Sequence, residues 1–236
     1  MSNFRRCLLK ISGEALAGDA GHGIDNLVIS QVAKEIVGSV KMGAQIALVI
    51  GGGNFARGVS SSAGGMNRAA ADSIGMLATV MNAIAMQDAL EKHGLDAEIM
   101  SAIGMEPLCQ IFDRRKATQI LEAGKVVLFA AGTGNPFFTT DTAAVLRAIE
   151  SGCNVMMKAT KVDGIYSADP IKDKSAFKFN DITYEEILKR NLAVMDTTAV
   201  TLARENKLPV CVFKLAEGNL AQVLTQSGGV GTFVHE

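Results

Sequence analysis

The sequence contains no tryptophan and two tyrosines in 236 residues. Proteins that bind single-stranded nucleic acid stack bases on aromatic rings, so the composition points away from that class. Charge of one sign is not in excess either. Lys and Arg total 23 against 24 Asp and Glu, a net charge of −1, without the basic surplus of a dedicated nucleic-acid binder. The four cysteines, Cys7, Cys109, Cys153 and Cys211, form no C-x-x-C pair and lie in or near apolar runs. They read as reduced, packed cysteines of a cytoplasmic protein. The histidines His22, His93 and His235 are too scattered for a structural zinc site. Arg5 and Arg6 precede a short apolar run that Lys10 interrupts, so no signal-peptide core is expected. The longest apolar stretch, Ile74 to Ala85, carries Asn82 and is followed by Gln87 and Asp88; it is expected to be too short and too polar to span a bilayer. Two phosphate motifs are also missing. There is no G-x-x-x-x-G-K-[ST], and no strand runs into G-x-G-x-x-G with a downstream acid.

Hydrophobic residues make up 48% and charged ones 20%, the balance of a folded chain. The length suits a single domain spanning residues 1–236. Aliphatic runs at Cys7–Ile11, Gln45–Ile50, Glu98–Ser101, Lys125–Ala131, Asn154–Lys158 and Pro209–Phe213 read as strands. They barely alternate, as in a parallel sheet covered on both faces. Helical patterns lie between them at 27–41, 66–92, 140–151 and 196–207, and Thr183-x-x-Glu186 is a capping box opening another. The expectation is an α/β fold, a three-layer α/β/α sandwich around a mostly parallel sheet. From Ile74 to Met86 the long helix is apolar nearly all round, with Met76, Met81 and Met86 as packing material. Two readings stay open for it, a subunit interface and a central core helix.

Three predicted strands end in glycine turns: Ser12-Gly13, Gly51-Gly52-Gly53-Asn54 and Gly132-Thr133-Gly134. In an open α/β sheet, ligands bind at the carboxyl ends of the strands. Glycine lets backbone N–H groups approach phosphate oxygens closely. Three such turns at one edge point to a phosphate-rich ligand. Lys10 interrupts an apolar strand beside that edge and reads as a cation aimed at phosphate; Arg57 can supply a second, bidentate one.

Taken together these segments resemble the bacterial-type UMP kinases of the amino acid kinase superfamily. The matching stretches are LLKISGEAL (8–16), GGGN with Arg57 and Gly58, GMNRAAAD (65–72), GMLATVMN (75–82), GTGNPFFTTDTAA (132–144), KATKVDGIYSADP (158–170) and VMD (194–196). The resemblance implies an amino acid kinase-like fold and transfer of the γ-phosphoryl of Mg-ATP to UMP. It also implies a hexamer built from dimers, activated by GTP and inhibited by UTP. Lys10, Ile11, Ser12 and Gly13 would hold the ATP phosphates with Gly53 and Arg57, and Thr160, Tyr166 and Asp169 would line the nucleoside site. UMP would meet Gly52, Asp72, Thr133, Gly134, Asn135, Pro136, Phe137, Phe138, Thr139 and Thr140. The segment Gly18, Asp19, Ala20, Gly21, His22 and Gly23 matches the one tied to GTP. Asp141 and Asp196 match acidic positions important in the family, and Asn154 stands where many members carry Asp.

Lys10 and Arg57 are the catalytic candidates, as electrostatic stabilisers of the transferring phosphoryl. No protein metal site is expected; Mg²⁺ comes with ATP. Two other classes share some of these features: a sister kinase acting on a carboxylate or carbamate, and a catalytically idle nucleotide sensor. Neither nucleic acid nor a membrane is expected as a partner.

Overall fold

The computed structural model describes residues 4–56, 65–227 and 229–236. In chain order the elements are β1 (Arg6–Ile11), α1 (Asn26–Lys41), β2 (Gln45–Ile50), α2 (Arg68–Lys92), β3 (Ala97–Ser101), β4 (Gln110–Ile111), α3 (Arg114–Glu122), β5 (Val126–Ala130), α4 (Thr140–Glu150), β6 (Val155–Thr160), β7 (Asp181–Thr183), α5 (Tyr184–Lys189), α6 (Thr197–Glu205), β8 (Val210–Lys214), α7 (Asn219–Thr225) and β9 (Thr232–His235). Short 3₁₀ turns at Gly13–Leu16 and Gly18–Ala20 follow β1. Among the described residues the strands form one nine-stranded sheet in the order β4-β3-β5-β2-β1-β6-β8-β9-β7. All pairings are parallel except β8 with β9.

The runs fail to alternate because helices cover both faces of the sheet. In β1, Cys7, Leu9 and Ile11 pack into a cluster with α1, α2 and α7. Leu8 faces the other way, into a cluster built with α3, α4, α5 and α6. Lys10 follows Leu8 by two residues, so it shares the α4 face. Helix starts follow from capping side chains. Asp25 accepts from the N–H groups of Leu27 and Val28, Thr139 opens α4, and Thr183 opens α5 by accepting from Glu186 N–H. Burial also pushes the thiols of Cys153 and Cys211 up to about 12, so they pack as small apolar groups.

Sequence patterns missed β4, β7 and β9, which have two, three and four residues and are too short to show a period. They also missed α3, whose stripe reduces to Ala117, Ile120 and Leu121, and the seven-residue α7. The long helix is not covered all round, as a central core helix would be. Met86 is fully buried, whereas Ile74, Leu77, Met81 and Ile84 form an exposed stripe at spacings of three and four. The sheet and α1 cover one side of α2, and among the described residues the stripe on the other side is left exposed. At 25 residues, with mean hydropathy 1.4 in its most apolar window, α2 is long and apolar enough to cross a bilayer by length and composition, which the shorter run was not expected to be. Its contacts identify a half-covered core helix instead: Asn82 and Thr79 are buried in hydrogen bonds to the turns at the sheet edge.

Candidate active site

Two clefts open at the carboxyl edge of the sheet. The larger, of about 980 Å³, is lined by Lys10, Ser12, Gly18, Lys158, Thr160 and Lys214 among others. The smaller, of about 140 Å³, is lined by Gly52, Asp72, Gly75, Thr79, Gly132, Thr133, Asn135, Phe138, Thr139 and Thr140. Gly51 lies between the turns that flank them. A Cβ at Gly51 would lie 3.3 Å from the Gly13 nitrogen and 3.4 Å from Thr140 Oγ1. The turns are tightly fitted there. A Cβ on Gly13 would lie 2.3 Å from the Gly51 carbonyl oxygen and 2.5 Å from Asn54 Oδ1, closer than packed atoms tolerate. Gly13→Ala is therefore expected to push the first two turns apart. The phosphoryl transfer that the resemblance implies should fall at least about tenfold and the thermal midpoint should drop, both read on the purified variant. A wild-type rate would show that the contact is not critical.

Beside Thr140 a carboxylate sits between two ammonium groups. Lys10 Nζ lies 2.7 Å from Asp141 Oδ1, and Lys158 Nζ lies 2.6 Å from Asp141 Oδ2. Lys10 and Lys158 occupy paired positions on the neighbouring strands β1 and β6 and point to the same face. Asp141 comes from the first turn of α4, capped by Thr139. Burial raises the Asp141 pKa, but the two lysines together outweigh it and hold the carboxyl below its ordinary range. Burial pulls the Lys158 ammonium pKa down. Asp141 opposes that, Lys10 adds to it, and the net direction is downward. Lys158 also donates to the Val194 carbonyl at 2.5 Å. Asp196 ties the neighbouring helix ends together, accepting from Thr139 and Thr142 hydroxyls and from Ala199 N–H. The three charged side chains present a net +1 to the large cleft.

The expected ATP residues divide. Lys10, Ser12 and Thr160 line the large cleft, and Gly13 and Gly53 stand at the turns beside it. Ile11 sends its side chain into the core, and its carbonyl accepts from Gly51 N–H. Tyr166 and Asp169 are not among the lining residues. Tyr166 donates to Asp163, and Asp169 accepts from Ile171 N–H. Arg57 lies outside the described residues. Most of the expected UMP residues line the small pocket. Gly134, Pro136 and Phe137 do not. Gly134 packs against Ala102, and exposed Phe137, at φ 72°, donates its N–H to Asp72 Oδ2. Asp72 also pairs with Arg68 at 2.8 Å. Of the 18–23 segment, Gly18 lines the large cleft, Asp19, Ala20, Gly21 and His22 are exposed, and Gly23 is bonded to Asn54. Lys158 was not singled out by sequence reasoning, although a lysine ending the apolar run Val155–Met157 repeats the signal that marked Lys10.

A family profile described as the amino acid kinase family matches residues 5–214. The chain belongs to the amino acid kinase family. A uridylate kinase from Paramagnetospirillum magneticum is 53% identical over 96% of this chain and 95% of its own length. Two solved UMP kinases share the fold. The Bacillus anthracis enzyme superposes with TM-score 0.94 at 33% identity, covering 98% of this chain and 96% of its own. The Ureaplasma parvum enzyme superposes with TM-score 0.92, also at 33% identity, covering 98% and 99%. This amino acid kinase thus places its glycine turns, paired lysines and bridging aspartate on a framework shared with those enzymes.

Proposed function

We propose that the chain transfers the γ-phosphoryl of Mg-ATP to the phosphate of UMP, giving ADP and UDP. The observation that carries this is the Lys10–Asp141–Lys158 cluster, whose lysines line the larger of two unequal clefts and whose aspartate follows Thr139 and Thr140 of the smaller. The larger cleft has room for a nucleoside triphosphate. The smaller is lined by Asp72 and by the turn and helix start between Gly132 and Thr140, with donors suited to a pyrimidine nucleotide. Magnesium enters with the nucleotide, on its phosphates.

Donor and acceptor phosphates repel. Two unit charges 4 Å apart cost about 4 kcal/mol at an effective dielectric near 20. Lys10, Lys158 and the turn amides offset that repulsion and the charge that develops on the moving phosphoryl. The acceptor oxygen is already ionised, so no general base is needed. Arg57 is assigned to the same task from the resemblance, and so are the nucleoside contacts of Tyr166 and Asp169. We assign the exposed α2 stripe to a subunit contact within a homohexamer, with GTP activation at the 18–23 segment and inhibition by UTP. The setting is pyrimidine nucleotide synthesis in the cytoplasm, with the whole chain acting as one domain.

A coupled assay of ATP consumption with UMP, CMP, acetylglutamate and carbamate in parallel tests the reading. UDP formation from UMP at the highest kcat/KM is the expected result. Turnover of a carboxylate or carbamate would assign a sister kinase. ATP binding with no turnover of any acceptor would assign a sensor.

A further inference from the structure

Four polar groups the mechanism has not used form a closed network behind the phosphate turn. Asn82, fully buried in α2, donates from Nδ2 to the Gly51 carbonyl and to Asn54 Oδ1, both at 2.7 Å. Asn54, also buried, donates from Nδ2 to Asn82 Oδ1 at 2.9 Å and to the Gly23 carbonyl at 2.7 Å. Its own backbone carbonyl accepts from Gly23 N–H at 3.0 Å. All four side-chain N–H hydrogens are therefore engaged. Turning either amide over would set N–H against N–H and oxygen against oxygen, so the pair holds one orientation.

That orientation has a consequence at the site. In a planar trans peptide, a carbonyl and the following N–H point opposite ways. Asn82 draws the Gly51 carbonyl toward α2, so the Gly52 N–H is turned toward the other face of the sheet, which carries Lys10. Among the described residues nothing accepts from that N–H. Meanwhile Gly51 N–H is held by the Ile11 carbonyl at 2.9 Å, fixing the peptide from its other end.

We propose that Asn82 and Asn54 are positioning residues for phosphoryl transfer: they aim the Gly52 amide at the phosphates and tie the 18–23 segment to that turn. The proposal deepens the kinase reading and rests on it. It makes the orientation of the turn a property set jointly by α2 and by the surface segment at Gly23, so a disturbance at either reaches the phosphates.

The test compares Asn82→Ala and Asn54→Ala with Val223→Ala, a core variant in α7 away from both clefts. In Asn82→Ala, kcat is expected to fall at least about tenfold while the KM for ATP changes by less than about threefold, because Gly52 lines the small cleft and its amide serves the transferring group rather than the ATP nucleoside. Val223→Ala should lose thermal stability without that loss of kcat. Hydrogen exchange on the wild-type enzyme supplies a measurement that needs no variant. Mg-ATP is expected to slow exchange in 18–25 and 51–56 together, and Asn54→Ala should keep the second effect and lose the first. Undiminished kcat in a folded Asn82→Ala, or protection of 51–56 alone in the wild type, overturns the proposal. If Asn82→Ala does not fold, Asn54→Ala and the wild-type exchange decide. A wild-type enzyme that forms no UDP overturns the kinase reading instead.

Discussion

Lys10→Ala is expected to lower kcat by about 10³-fold while the protein stays folded. Two lysines and one aspartate leave a net +1 facing the large cleft, and removing Lys10 leaves a neutral Asp141–Lys158 pair. Loss of one preorganised donor to developing charge typically costs about 10²–10³ in turnover. A full cation within reach of both phosphates belongs at the upper end, or about 4 kcal/mol. The fold should survive because Asp141 keeps Lys158 at 2.6 Å and no anion is left unpaired. The measurements are kcat by coupled assay and the thermal midpoint of the same preparation. Wild-type turnover in the variant would remove Lys10 from the mechanism. Parallel loss of rate and midpoint would make it structural.

The features the sequence revealed were those set by local chemistry. Lys10 stood out because a lysine inside Leu8-Leu9-Lys10-Ile11 has to end near a partner, and the glycine turns because they close apolar strands. The doubly covered sheet was legible in β2 and β5, whose runs do not alternate. What stayed hidden depends on distant parts of the chain meeting. The resemblance marks Asp141 without giving it a task, which shows only when α4 is set over β1 and β6, where Lys10 and Lys158 reach it from either side. Asn82 looks like a flaw in an apolar helix until the turn after β2 is brought beneath it. Tyr166 and Asp169 show the opposite case. The resemblance alone puts them at the nucleoside; in the structure Tyr166 donates to Asp163 and Asp169 accepts from Ile171 N–H. The α2 stripe stayed open between a subunit interface and a core helix because composition cannot tell a face that meets the sheet from one that waits for another surface.

Asp141→Asn should be the most damaging of the conservative substitutions, and its pH dependence carries a distinct sign. The variant keeps the shape of the side chain but leaves two buried ammoniums beside a neutral amide. Removing one partner of a buried ion cluster costs about 3–5 kcal/mol, here about 10 °C in thermal midpoint at neutral pH. In the wild type the Asp141 pKa is lowered by folding. Its contribution is complete above the ordinary carboxylate range and is lost as pH falls through the lowered value. The variant has no such acid transition. The folded Lys158 pKa is already depressed, by burial first, and with Asp141 gone the main opposing influence disappears, so it falls further. Between that folded value and the unfolded one near 10.4, the unfolded chain binds more protons, so stability rises with pH. Asp141→Asn should therefore recover stability relative to wild type as pH rises from neutrality toward the unfolded value, measured by thermal melts across that range. If the proposed site is right, Mg-ATP would bring anionic phosphates to both ammoniums, so it should raise the midpoint of the variant more than that of the wild type. Turnover should nonetheless fall, because nothing then fixes the two lysines relative to the transferring group. A variant as stable as wild type at pH 7, with a flat response up to pH 10, would mean that Asp141 is not what holds the two cations together.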